Sequence, residues 1–489
     1  MRVVDSSQRP ASSSTRRAFI GRTAGVVGAA LWAGPRSLRP ARASDDALAI
    51  TLRSAPIEFE PSHGAVYHMK AFNGSLPGPV IRVRAGSRVR ILYRNDSGAA
   101  GTIHWHGLIL PNDMDGVEGI TQSLVPDGGS FVYEFTAANA GTRWYHDHVS
   151  HGQINGLFGM FVIDDPRDEP ADLDVPLVFH DVPVESTIAP AMQGRSNAPM
   201  TDPAGSQELA GMAEDDKMGD EVAYQRRCIN GKSYPETPTL VAHVGARVRL
   251  RILNANPTQT RYVRLTGSTL RVTHADGNAL GVPVDVDVLR IGVGERYDAW
   301  FVPARPGAWM LQSIIADPLS FEQALIVRTD DGQIPESSTQ SLAGLNVLSY
   351  ESLASGVRSA PTARPPERVF RFTIGGGQYG SSRWTLNGAV WPNTEKVRVR
   401  RNDRVLLKFR NTTDMDHPLH LHGHTFFVES VDGKRLRNPL AKDTALIRAN
   451  GGTLDLSFVA DSPAGRWLMH CHNLIHMMDG MMTEVVYEK

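Results

Sequence analysis

Apolar residues alternate with polar and charged ones, most often arginine, in three well-separated stretches: Val80 to Leu92, Leu240 to Ile252, and Val397 to Phe409. Each reads as strand, turn, strand, because side chains two apart share a face and alternation sets one face in a core and the other in water. An Asn-Gly pair precedes each stretch. The asparagines Asn73, Asn230 and Asn387 stand 157 residues apart at each step, from 73 to 230 to 387. Near the end of each unit a glycine precedes a tryptophan: Gly141 and Trp144, Gly307 and Trp309, Gly465 and Trp467. A period this long is a domain rather than a solenoid repeat. The pattern predicts an all-β chain of three β-sandwich domains over residues 44–166, 167–335 and 366–489, with a Ser-, Ala- and Pro-rich linker at 336–365.

The first 43 residues do not share the pattern. Arg16-Arg17 stands in a basic stretch, an apolar run follows from Ala24 to Ala33, and Ala41-Arg42-Ala43 supplies small residues for cleavage. This is the layout of an export signal of the twin-arginine type, which implies a twin-arginine export machinery as partner and a periplasmic or extracellular location. No other run approaches the roughly 18 apolar residues of a membrane span. The 489 residues carry 51 basic and 52 acidic side chains, a formal charge of -1, which gives no electrostatic case for nucleic acid or an anionic membrane as partner. The polar segment between Ser186 and Arg227 contains Met192, Met200, Met212 and Met218 without the tight repeats of a soft-metal tract, and reads as a long loop.

Two cysteines occur, Cys228 and Cys471, and the second has unusual company. Cys471, His476 and Met481 fall five residues apart, offering a thiolate, an imidazole and a thioether. With a second histidine from elsewhere in the chain, that set suits an electron-transfer copper with a weak axial methionine. Cys228 is then left without a partner, which excludes a disulfide framework and reads as a buried small hydrophobe. On a strand, His470 and His472 point away from the Cys471 side chain, so one peptide unit in either direction separates a copper on the cysteine from a metal held by those histidines. Seventeen histidines occur, and ten stand in four clusters: His104 and His106; His146 and His148; His417, His420 and His422; His470, His472 and His476. One His-x-His pair is weak evidence, but four at equivalent places in two repeats are not. The middle unit has Leu311-Gln312-Ser313 at the corresponding place and reads as a metal-free spacer.

These four motifs, with the threefold repeat, resemble the three-domain multicopper oxidases, a family that includes laccases and bacterial cuprous oxidases. The resemblance covers the chain from about residue 46 to the end. It implies a cupredoxin-like Greek-key sandwich repeated three times and four copper ions: one type 1, one type 2 and a type 3 pair. By position, it implies a type 1 site of His417, Cys471, His476 and Met481, and type 2 ligands His104 and His420. It implies that His106, His146 and His472 hold one type 3 ion, and that His148, His422 and His470 hold the other. Electrons would pass from Cys471 through His470 and His472, and dioxygen would be reduced to water. Asp115, in the turn Asp115-Gly116, matches an acid that relatives keep near the type 2 copper. Many relatives carry a glutamate beside the last type 1 histidine or two residues before it. Met477 and Leu474 stand at those places, which leaves the second proton source open, with Asp479 as a candidate.

The other histidines, His63, His68, His151, His180, His243, His274 and His424, read as structural, with His151 and His424 close enough to the clusters to support ligands. An axial methionine within this family suits easily oxidised donors, so the electron donor is expected to be a phenol in laccase-like turnover. The alternative is Cu(I) oxidation for copper tolerance, with Met477, Met478 and Met482 as receivers. A reading from another class is an exported scaffold that has lost its coppers, against which the complete set of ligand residues argues.

Overall fold

The computed structural model describes residues 48–149, 151–187, 222–314, 320–329, 333–335, 342–355, 365–377 and 383–488. The expected export signal and Met192, Met200, Met212 and Met218 lie outside the described residues.

Among the described residues the strands form six sheets, two in each repeat. In the first repeat, a sheet ordered Ala65–Phe72, Leu48–Ser62, Arg88–Asn95 and Ser130–Thr136 packs on one ordered Gly78–Arg84, Phe158–Asp164, Gly141–Asp147 and Ile103–His104. The middle repeat pairs a seven-stranded with a five-stranded sheet, and the last a six-stranded with a five-stranded one. The same parallel contacts recur in all three. Leu48–Ser62 runs beside Arg88–Asn95, Leu173–Pro183 beside Val248–Asn254, and Arg368–Gly376 beside Arg404–Asn411. Parallel neighbours need a crossover rather than a hairpin, so each repeat closes as a two-sheet sandwich. The alternation read from the sequence is realised: along Arg88–Asn95, Val89, Ile91 and Tyr93 are buried while Arg88, Arg90 and Arg94 face water.

The Asn-Gly repeat has a physical cause. Asn73, Asn230 and Asn387 all have positive φ, as do the glycines that follow them, a backbone region that asparagine and glycine enter at least cost. Each side chain then clamps a neighbouring strand. Asn73 accepts from Arg53 N and donates to Thr51 O at 2.7 and 2.8 Å. Asn230 does the same with Val178 N and Pro176 O, and Asn387 with Thr373 N and Arg371 O.

Part of the segment between the second and third repeats packs on the middle sandwich. Ala354–Ser355 pairs with the strand Asn278–Val286, Leu348 N donates to Val288 O at 2.8 Å, and Leu348 and Leu353 are buried. Among the described residues, no helix is long and apolar enough to cross a membrane.

Candidate metal centres

All four histidine clusters lie on or beside the second sheets of the first and third repeats. Strand register begins the assembly: His104 pairs with His146 across one sheet, and His420 with His470 across the other. The two repeats then bring eight imidazoles together. His104 stacks on His422 with ring centroids 3.8 Å apart, and His106 on His420 at 3.6 Å. His148 reaches His422 and His470 at 5.0 and 5.4 Å, and His472 reaches His106 and His146 at 4.9 and 5.2 Å. Seven of the eight are buried, and His148 is half-buried.

Which nitrogen each ring presents is set by what holds the other. A ring whose Nδ1–H donates to an oxygen keeps the Nε2 lone pair for a metal. His104 Nδ1 lies 2.9 Å from Asp115 O, His146 Nδ1 2.9 Å from Asp147 O, and His420 Nδ1 2.8 Å from Asp443 O. His422 Nδ1 lies 2.8 Å from Asp115 Oδ2, and His470 Nδ1 2.9 Å from Cys471 O. Their Nε2 atoms turn inward: those of His104 and His420 come within 3.4 Å, and those of His422 and His470 within 3.0 Å. His106 is reversed. Its Nε2 meets Thr444 Oγ1 at 2.9 Å and Asp443 Oδ1 at 3.2 Å, so Nδ1 is the free atom.

The donor set fits metal ions. Nδ1 of His106, Nε2 of His146 and His148, and both nitrogens of His472 are buried without a hydrogen-bond partner among the described residues. Buried polar atoms left so cost about 1–3 kcal/mol each, a cost that coordination removes. Burial, reinforced by neighbouring imidazoles, holds His106, His146, His148, His420, His422 and His472 well below the ordinary histidine pKa. Burial also brings His470 down to about 4. Neutral imidazoles are the form that binds metal. Close donor groups include His104 with His420 and His422, His148 with His422 and His470, and His104 with His106 and His146. His472 completes the wall through its ring contacts.

A second centre lies at the other face of the same strand. Cys471 Sγ stands 3.5 Å from His476 Nδ1 and 3.7 Å from His417 Nδ1, and the two nitrogens are 2.9 Å apart. Thr413 Oγ1 pins His417 Nε2 at 2.8 Å. Asn473 caps the short helix Leu474–Met478, accepting from Ile475 N and His476 N, and so fixes His476. Met481 is buried, and its backbone bonds both Cys471 N and His476 O. The indole of Trp384 covers this centre, 3.9 Å from the His476 ring and 5.2 Å from His417.

Asp115 bridges the repeats, with its carbonyl on His104 and its carboxylate on His422. The following Gly116 has φ +80, and a Cβ there would lie 1.9 Å from Ile103 O, so the turn and the ligand contact are one feature. Asp479 ends the helix that carries His476. His424 is buried, donating from Nδ1 to His422 O with Nε2 on Tyr487 Oη, so it supports the backbone of a ligand residue rather than a ring.

Sequence reasoning missed a buried ionic cluster behind the eight histidines. Asp443 accepts from Arg296 Nη1 and Nη2 at 2.7 and 2.6 Å and from Arg143 at 3.3 Å. Asp276 accepts from the backbone of Asp443 and Thr444 and from Lys442 at 3.2 Å. Lys442 also pairs with Glu295 at 3.0 Å. The available signal was Lys442-Asp443 inside the apolar run from Leu440 to Ile447.

Three multicopper oxidase family profiles match residues 55–168, 202–329 and 363–489. Multicopper oxidase MmcO of Mycobacterium tuberculosis is 32% identical, over 98% of this chain and 93% of its own length. A laccase of Cryphonectria parasitica is 28% identical over 84% of this chain and 76% of its own. Copper resistance protein A of Pseudomonas syringae pv. tomato is 24% identical over 98% and 100%. The crystal structure of Fet3p, a multicopper oxidase that functions in iron import, superposes with a TM-score of 0.77 at 19% identity, covering 91% of each chain. Together with the three cupredoxin-like sandwiches, these family matches and relatives show a copper-dependent oxidoreductase that uses dioxygen. The chain belongs to the multicopper oxidase family.

Proposed function

We propose that the protein is a laccase-like oxidase holding four coppers, with a phenol as electron donor. In this reading, Cys471, His417, His476 and Met481 hold the type 1 ion, and His104 and His420 the type 2 ion. His106, His146 and His472 would hold one ion of the type 3 pair, and His148, His422 and His470 the other. The coppers, when bound, supply the one-electron redox changes and bind dioxygen. The observation that carries the reading is the placement of Cys471 between His470 and His472, with the His470 ring bonded to the Cys471 carbonyl at 2.9 Å. This gives two short routes, one covalent and one through a hydrogen bond, between the cysteine and the eight-histidine centre.

The remaining roles belong to the chain's own groups. Asp115 holds Oδ2 on His422 at 2.8 Å and faces His104 Nδ1 with Oδ1 at 3.3 Å, which puts a carboxylate at the eight-histidine centre as the group to pass protons there. Trp384 packs on the rings of His417 and His476, both fully buried, and keeps water from them. Export by the twin-arginine route to the periplasm or beyond belongs to the same reading and rests on the leader sequence alone.

Phenol rather than Cu(I) is favoured by the surroundings of Met477, Met478 and Met482. Met477 is buried in an apolar cluster with Ile154, Val222, Tyr224, Leu474 and Ile475, and Met478 and Met482, half-buried, pack against it. The likeness to Copper resistance protein A favours Cu(I) instead. Oxygen uptake by the copper-loaded protein separates the two. Turnover of a simple phenol with Cu(I) at background supports the laccase-like reading; efficient uptake on Cu(I), with phenols dependent on added copper, replaces it with cuprous oxidation.

A further inference from the structure

The middle repeat carries none of the histidines in the two centres, yet it touches the larger one. Gly294 packs against the rings of His472 and His106, where an added Cβ would lie 3.2 and 3.3 Å away. Two residues on, Arg296 sends its guanidinium across the domain boundary and grips both oxygens of Asp443. The same Asp443 Oδ1 that receives Arg296 Nη1 faces His106 Nε2 at 3.2 Å, and Thr444 Oγ1, 3.0 Å from that oxygen, faces it at 2.9 Å. Asp443 O holds His420 Nδ1. Asp276, also of the middle repeat, fixes the backbone of both Asp443 and Thr444. Gly107, directly after His106, lies so close that a Cβ would meet Asp443 Oδ2 at 2.5 Å and Arg296 Nη2 at 2.7 Å.

We propose that the middle domain sets the ring orientation of His106, with Arg296 as the positioning residue acting through Asp443. His106 is bound through Nε2 by the ionic cluster, whereas the five other rings whose anchors are known are held through Nδ1. A planar guanidinium bound bidentately fixes the carboxylate in rotation as well as position, which a point charge does not do. The carboxylate in turn keeps the His106 proton on Nε2 and the lone pair on Nδ1, aimed at the metal space. The domain without metal ligands is therefore part of the site. This rests on His106 being a copper ligand, as proposed above.

The test uses the full-length, copper-loaded protein, with copper content, blue absorbance and electron paramagnetic resonance read on the same samples. Wild type must hold four coppers with a magnetically silent type 3 pair; failure there defeats the copper assignment and not this inference. Arg296→Lys keeps the charge and loses the fork. The expected result is an unchanged blue band together with about a 10- to 100-fold weaker hold on the type 3 copper served by His106, the range typical when a ligand's supporting partner is removed. The uncoupled partner ion then becomes visible in the resonance spectrum. Asp443→Asn, of the same shape, is expected to give the same selective loss, and decides the matter if Arg296→Lys fails to fold. Four coppers and wild-type spectra in the folded variants would overturn the proposal. So would loss of the blue band in step with the type 3 signal in a variant that stays folded by circular dichroism, since the effect would then not be selective for the copper served by His106.

Discussion

Asp115 binds two histidines from different repeats, taking His104 Nδ1 on its carbonyl at 2.9 Å and His422 Nδ1 on its carboxylate at 2.8 Å. One buried residue therefore joins the first and third sandwiches at the eight-histidine centre, with Oδ1 3.3 Å from His104 Nδ1. Asp115→Asn keeps the shape and removes the acid. Turnover with saturating donor is expected to fall by about 10²-fold or more, the usual contribution of a placed acid or base, while copper content and the blue band stay at wild-type values. Steady-state oxygen uptake checks this.

Cys471→Ser removes the thiolate between the two centres. Loss of the blue absorbance and of donor oxidation by at least about 10³-fold is expected, from the strength of thiolate coordination and the loss of the route through residue 471. The copper on the eight histidines should remain, measurable by metal analysis. Oxidase activity at the wild-type rate in this variant would sink the proposed electron path.

Gly116→Ala tests the turn that carries Asp115. The new methyl would sit 1.9 Å from Ile103 O on a backbone with φ +80, a conformation that costs a non-glycine residue about 1–3 kcal/mol before the clash is counted. A lowered thermal midpoint and weakened type 2 copper binding are expected together, measured by calorimetry and metal analysis.

His180 gives a pH prediction remote from the metals. Burial lowers its pKa to about 4, and its Nε2 accepts from Gly231 N at 3.0 Å. The unfolded chain binds a proton on this group near the ordinary value of about 6.5 while the folded chain does not. Stability is therefore complete above about pH 6.5 and falls as pH drops toward 4. Replacing His180 with Asn should flatten the pH dependence of the urea midpoint by up to one proton across this window.

The local features of the site were legible in the sequence because they depend on spacing. Cys471, His476 and Met481, the alternation around Cys471, and the recurring Asn73, Asn230 and Asn387 each report backbone geometry within a few residues. What escaped was set across domains. The reversed ring of His106 depends on Asp443, more than three hundred residues away, and Asp443 depends on Arg296 from a third repeat. No periodicity records such a contact. The middle repeat, read as a spacer because it has no histidine cluster, supplies buried charge instead, and buried charges declare themselves only when their partners are seen.

Electrons taken singly at Cys471 would reduce dioxygen to water at the eight histidines. The most direct measurement is the ratio of phenol equivalents oxidised to dioxygen consumed by the copper-loaded protein, with peroxide assayed in the same vessel. Four one-electron oxidations per dioxygen and no peroxide are expected, since reduction of dioxygen to two waters takes four electrons. A ratio of two with peroxide accumulating, or no oxygen uptake from a blue protein holding four coppers, would contradict it.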